Sequence, residues 1–247
     1  MKEERYQKIM EILDEDKYAT VETLSQKLFV SMPTIRRDLN QMQQMGLITR
    51  NHGGAMRRSV DTFGQPLLFR TGVNAGEKLR LSKAASSLLH DDCVIFLDES
   101  STTLHIIDHI PLYHNVTVVT NSMNVLLLLN KYKIPSYCIG GKFSADTLSF
   151  VGSMAEEMVR RFGIDIMFFS SSGINNQGWI VDYCEEANDL RRHVLEIADK
   201  KVFLCDNSKF GKRAAFSLCP LPEVDSIVVN APLPSHMDTG SAEIIVI

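Results

Sequence analysis

Thr34, Arg36, Arg37 and Asn40 fall together on a short segment, with Ser31 just ahead of it and Arg50 and His52 beyond. Two adjacent arginines present planar forks of donors suited to phosphate oxygens and guanine edges, and threonine and asparagine add short polar contacts. The chemistry implied is recognition of double-stranded DNA. A second set is made of small polar residues: Asp98, Ser100, Ser101, Thr102, Thr103, Thr120, Asn121, Gly140, Gly141, Lys142, Ser172, Gly173, Glu186 and Lys209. Hydroxyls and backbone donors at the start of a helix attract an anion, and Lys209 would supply the charge opposite a phosphate. Asp98, Asn121 and Glu186 suit sugar hydroxyls. A phosphorylated or heavily hydroxylated small molecule fits this set.

The first group needs a helix to carry it. Ile35, Leu39 and Met42 recur at helical spacing and predict a narrow apolar stripe, leaving Thr34, Arg36, Arg37 and Asn40 to face outward. Ser31 is placed to cap this helix, Pro33 suits its first turn, and Gly46 is placed to end it. Ahead of it, Tyr6, Ile9, Met10, Ile12 and Leu13 predict one amphipathic helix. Thr20 predicts the cap of another, with Val21, Leu24 and Leu28 inward. Phe29-Val30 leaves only a tight connection, which is helix-turn-helix spacing. Leu47 to Arg50 is strand-like, Asn51 to Gly54 is turn-rich, and Ala55 to Arg58 returns as the second strand of a wing. The alternative is a three-helix module that contacts proteins.

Charge divides in the same place. Residues 1–58 carry a net charge of +2 and residues 59–247 a net charge of −6. Between residues 32 and 58 the arginines at 36, 37, 50, 57 and 58 face only Asp38, so affinity for DNA would come from a local patch.

With 247 residues and 45% apolar content, the chain is long enough for a small domain and a larger one. The charged N-terminus and the absence of a long apolar run predict a cytoplasmic protein with no membrane partner. The five cysteines lack a C-x-x-C pair and read as reduced core residues, and the histidines show no metal spacing. Neither a metal nor a cofactor is expected.

Residues 1–58 therefore read as a winged helix-turn-helix DNA-binding domain, with the helix-turn-helix at about 20–39. Residues 59–76 read as a linker, and 77–247 as a domain for sensing and oligomerisation. In the last span, apolar runs beginning at Val94, Val116, Ile134, Ile164, Val202, Ser226 and Ile244 alternate with helical segments. That pattern predicts an α/β fold: a mostly parallel sheet with helices on both faces. In such sheets ligands sit beyond the carboxyl ends of the strands, where the small polar residues fall.

Thr34-Ile35-Arg36-Arg37-Asp38-Leu39 and Arg50-Asn51-His52-Gly53-Gly54 resemble the winged helix-turn-helix of DeoR/GlpR-type bacterial transcription regulators. Leu97-Asp98 with Thr102-Thr103, Val119-Thr120-Asn121, Gly140-Gly141, Val151-Gly152, Glu186-Ala187 and Asp206 to Phe210 resemble that family's effector domain. Ser100 stands where the family commonly has glycine. The resemblance implies operator binding, usually repression of sugar-catabolism genes, under control of a sugar phosphate. It also implies a domain similar in fold to ribose-5-phosphate isomerase and glucosamine-6-phosphate deaminase.

The rival is an isomerase- or deaminase-like enzyme with an appended DNA-binding module. Those isomerases carry an acidic segment, whereas the place that aligns here reads Ser170-Ser171-Ser172-Gly173-Ile174, with no carboxylate to act as base. No catalytic residue is expected. A third alternative keeps DNA binding and makes the pocket vestigial. One wing module offers little surface, so a homodimer or homotetramer on repeated half-sites is expected, spaced by turns of about 34 Å.

Overall fold

The computed structural model describes residues 2–45, 47–51, 53–57 and 70–247. They form two compact units, Met1–Asn74 and Ala75–Ile247. Gly46, His52, Arg58 and most of the expected linker lie outside the described residues, and so does the side chain of Arg57.

The first unit contains α1 (Lys2–Asp16), β1 (Tyr18–Thr20), α2 (Val21–Leu28), α3 (Met32–Gln44), β2 (Ile48–Asn51) and β3 (Gly54–Arg57). Its core gathers the stripes read from the sequence: Tyr6, Ile9, Met10 and Leu13 from α1, Val21 and Leu24 from α2, and Ile35, Leu39 and Met42 from α3. Thr20 caps α2 by accepting from the Thr23 amide. Ser31 stands at the N-cap of α3 but caps no backbone amide; its hydroxyl pairs with that of Thr34 at 2.9 Å. The wing is a hairpin of β2 and β3, widened by β1 into a sheet of order β1-β3-β2. The third strand was not expected, since three residues carry too little periodicity to read. Gly54 makes it possible, because a Cβ there would meet the Ala19 carbonyl oxygen at 2.5 Å.

The second unit opens with α4 (Ala75–Ala85), which begins inside the stretch read as linker. After it come β4 (Val94–Leu97), a 3-10 helix (Thr103–Leu112), β5 (Thr117–Thr120), α5 (Met123–Tyr132), β6 (Ser136–Cys138), β7 (Lys142–Ser144), β8 (Ser149–Val151) and α6 (Ser153–Val159). The chain continues through β9 (Ile164–Phe169), β10 (Gly173–Ile174), β11 (Trp179–Asp182), α7 (Glu185–Ile197), β12 (Ala198–Cys205), β13 (Phe216–Pro220), β14 (Ser226–Val229) and β15 (Glu243–Val246). Seven strands pair in the order β15-β14-β12-β9-β4-β5-β6, each neighbour parallel to the next.

Alternate side chains of this sheet feed two cores. Ile95, Leu97, Ile166, Phe168, Val202 and Leu204 pack with residues of α4, the 3-10 helix and α5. Phe96, Met167, Phe169, Phe203 and Cys205 pack with α6, α7 and the small sheet β10-β11-β13. Burial on both faces explains why the central strands read as unbroken apolar runs. The helical segment expected after β4 is a 3-10 helix, rich in Ile and His and with Pro111 inside its last turn, all weak helix formers. Among the described residues no helix is long and apolar enough to cross a membrane.

Candidate functional site

On α3, Arg36 and Arg37 are exposed, and neither is engaged within the chain among the described residues. Asp38, the acid that the sequence sets against this patch, points the other way. It is 2% exposed and held by Arg5 of α1, with Nε–Oδ2 at 2.5 Å and Nη2–Oδ1 at 3.1 Å. The hydrogen bond to Asp38 raises the Arg5 guanidinium above its ordinary range, against the effect of burial. The pair anchors the back of α3 to α1 and leaves the arginines on its front unopposed. Asn40 is exposed and accepts a hydrogen bond from Arg50 of β2, which ties the helix to the wing. Ser31 and Thr34 sit at the start of α3, and His52 is outside the described residues.

The turn between α2 and α3 holds Phe29 in the left-handed region, at φ 54° and ψ 41°, with the side chain 96% exposed. A bulky residue there carries a backbone cost of about 1–2 kcal/mol, and a ring this exposed gains little burial to offset it. Phe29→Asn is expected to stabilise the unit by about 0.5–1 kcal/mol, because asparagine tolerates this conformation. Hydrogen exchange at the α2 and α3 amides would then slow by roughly two- to five-fold; unchanged exchange would contradict the strain.

The second site lies at the carboxyl edge of the seven-stranded sheet. Asp98, just past β4, is fully occupied: Oδ1 accepts from Ser100 N (3.1 Å) and Thr103 Oγ1 (2.9 Å). Oδ2 accepts from Ser170 N (3.2 Å) and Arg191 Nε (3.2 Å). Ser100 turns its hydroxyl back onto Thr103, to the amide at 3.2 Å and the hydroxyl at 2.8 Å. Thr120 donates to the Leu97 carbonyl and accepts from Ser122 N. Asp98, Ser100, Thr103 and Thr120 thus build the loops from within. Thr102 and Asn121 differ, since each is 1% exposed and keeps a buried atom, Thr102 Oγ1 and Asn121 Oδ1, without a partner among the described residues.

Of the other expected residues, Lys209 reaches the same edge and donates to Ser170 Oγ at 2.8 Å. Ser172 donates to Asp182 Oδ1 at 2.8 Å. Lys142 and Glu186 instead pair with each other at 2.8 Å, both well exposed. Gly141 is needed by the backbone: its φ is +137° and a Cβ would meet the Val151 carbonyl oxygen at 2.7 Å. Gly140 has open space around it, and Gly173 approaches Lys212 too closely for a side chain.

The sequence reading missed the residue that holds these loops together. Arg191 of α7, 3% exposed, donates through Nη2 to Glu99 Oε1 (2.5 Å) and through Nη1 to Asp182 Oδ2 (3.0 Å), besides its bond to Asp98. Burial alone would lower its proton affinity, but the charges of Glu99, Asp182 and Asp98 outweigh it and hold the guanidinium well above its usual range. Burial pushes Glu99 upward, with Asp98 adding, against the pull of Arg191 and Asn121. Arg191 shares a helical face with Ala187, Leu190 and Val194, all buried. That spacing is the sequence signal that marks it as an inward residue.

A model of the DeoR-like helix-turn-helix domain matches residues 5–60, and one of the DeoR C terminal sensor domain matches residues 73–231. An L-fucose operon activator of Haemophilus influenzae is 34% identical over 233 residues, spanning 93% of this chain and 92% of its own. A glycerol-3-phosphate regulon repressor of Escherichia coli is 28% identical, spanning 94% of this chain and 92% of its own. Among solved structures, a ribose 5-phosphate isomerase from Methanocaldococcus jannaschii is similar at a TM-score of 0.42 and 20% identity, covering 56% of this chain and 55% of its own.

Proposed function

Because the chain belongs to the DeoR family of helix-turn-helix transcriptional regulators, we propose that it represses sugar-catabolism genes under the control of a phosphorylated sugar bound at the sheet's carboxyl edge. Arg36 and Arg37 enter the major groove of operator DNA with Thr34 and Asn40, and Ser31, Arg50 and His52 support them at the backbone and flanking groove. Operators need two half-sites, so the working form is a homodimer or homotetramer. The place of action is the cytoplasm.

The observation that carries the effector half is that Thr102 Oγ1 and Asn121 Oδ1 are buried at this edge and, among the described residues, find no partner. Buried polar atoms are normally paired, and a ligand that supplies the partners is favoured there. Three carboxylates surround the buried guanidinium of Arg191, so the phosphate sits away from them, toward Ser101, Thr102 and Lys209. The ligand's hydroxyl-bearing end faces inward. The relative named as a repressor belongs to the regulon of a phosphorylated polyol, which supports this choice. A relative named as an operon activator makes activation the second reading.

Catalysis is not part of the proposal. Each oxygen of Asp98 accepts two hydrogen bonds from the surrounding loops and Arg191, and both oxygens of Glu99 are engaged, by Arg191 and Asn121, so neither carboxylate is set out toward a substrate as a base. The test combines footprinting on DNA upstream of the chain's own gene with thermal shifts over pentose, hexose and amino-sugar phosphates. At 100 times its Kd, one ligand is expected to raise Tm by roughly 5–10 °C and to change the footprint. Flat shifts across the panel would overturn the effector. Turnover of any member would overturn the non-enzymatic reading.

A further inference from the structure

Two side-chain amides flank the buried ion pair of Glu99 and Arg191, and the pair dictates which way each one points. Asn121 donates through Nδ2 to Glu99 Oε2 at 3.0 Å and to the Phe150 carbonyl at 3.3 Å. Both partners are acceptors, so the NH2 group must face them and Oδ1 is the atom presented. Asn188 of α7, 0% exposed, accepts from Arg191 Nη1 at 3.4 Å through Oδ1. Arginine only donates, so here the NH2 group is presented. Among the described residues, Asn121 Oδ1 and Asn188 Nδ2 have no partner.

The result is one oriented acceptor and one oriented donor, joined by a continuous chain of bonds from Asn121 through Glu99 and Arg191 to Asn188. A carboxylate or a phosphate only accepts, and an ammonium only donates. A hydroxyl does both, and neighbouring hydroxyls of fixed stereochemistry satisfy both amides. We propose that Asn188 and Asn121 are the stereochemical readers of the sensor domain, selecting its effector by the configuration of sugar hydroxyls, with Glu99 and Arg191 as the positioning residues behind them. This rests on the phosphorylated-sugar reading above and assigns its specificity to a residue of α7.

The arrangement accounts for why an ion pair is buried at this edge. Each amide is locked by a charged partner, which prevents the flip that would exchange donor and acceptor. A site that hydrogen-bonds a hydroxyl rejects the analogue lacking it, because the buried group is then left unpaired.

The test compares the full-length protein with Asn188→Asp, which keeps an acceptor for Arg191 and replaces the presented donor by an acceptor, and with Asn188→Ala. Probes are glucose, mannose, galactose and 2-deoxyglucose 6-phosphates, ribose and arabinose 5-phosphates, fructose 6-phosphate and 1-phosphate, the unphosphorylated sugars, and inorganic phosphate. Unliganded melting curves establish that each variant is folded, and Asn188→Ala stands in if the aspartate does not fold. The wild type is expected to bind one sugar phosphate over its epimers. In the variant that ligand should bind roughly 5- to 100-fold more weakly, with epimers bound almost equally. Retention of the full rank order in a folded Asn188 variant overturns the proposal and leaves the phosphosugar reading standing. Inorganic phosphate reproducing the whole wild-type shift also overturns it. A wild type that responds to no probe overturns both.

Discussion

Arg191→Met is expected to destabilise the sensor unit by about 3–5 kcal/mol, the usual cost of removing one partner from a buried ion pair. For a unit of this size that lowers Tm by roughly 10 °C or more, and it is a large share of a total stability of about 5–15 kcal/mol. The reason is local. Asp98 and Glu99 are buried, Asp182 is close to it, and the guanidinium is the charge that all three share. Without it the folded-state proton affinity of Glu99, already raised by burial, stands further above that of the unfolded chain. Such groups favour folding when protonated, so the deficit is expected to be largest at neutral pH and to shrink as pH falls toward about 5. Melting curves of wild type and variant at the two pH values decide it. A deficit that does not depend on pH would mean that lost packing, not uncompensated charge, destabilises the variant.

Arg37→Ala is expected to abolish protection of the operator in footprinting while leaving the fold intact, since the side chain is exposed and, among the described residues, engages nothing. A bidentate contact to guanine contributes about 1–3 kcal/mol of discrimination, and two half-sites double it. Arg36→Ala is expected to act similarly, whereas loss of an arginine that meets only phosphate would weaken all sequences evenly and flatten the salt dependence. Sequence-specific protection retained by Arg37→Ala would remove this residue from base recognition. Asp38 gives the contrast within the same helix. It lies next to Arg37 in sequence, yet its charge is spent on Arg5, so neutralising it should loosen α3 and not strengthen DNA binding.

Much of the fold was legible because its signals are periodic. Ile35, Leu39 and Met42 mark one face of α3 whatever the rest of the chain does, and the central strands of the large sheet are apolar on both sides because both are covered. The small strands β1, β7, β10 and β11 were not legible, since two to four residues cannot display a period, and β1 and β11 also pair with strands distant in sequence. The candidate site divides in the same way. Small polar residues past the strands located the edge, but their types could not say which hydroxyls were free. Asp98 and Thr120 looked like ligand contacts and spend their atoms on neighbouring loops, while Lys142 and Glu186 spend theirs on each other.

Composition and spacing by themselves determined the two-part organisation, the amphipathic face of α3, the basic patch beside it and the class of the sheet. All of these depend on the order of apolar and polar residues within a few turns or strands. Only the tertiary structure decided which charges cancel and which remain. Arg5 meets Asp38 across 33 positions and Arg191 meets Asp98 across 93, and no local pattern encodes such pairs. Electrostatic partners are chosen by where the packed elements end up, so the unopposed arginines of α3 and the two oriented amides of the sensor edge emerge only once the chain has folded.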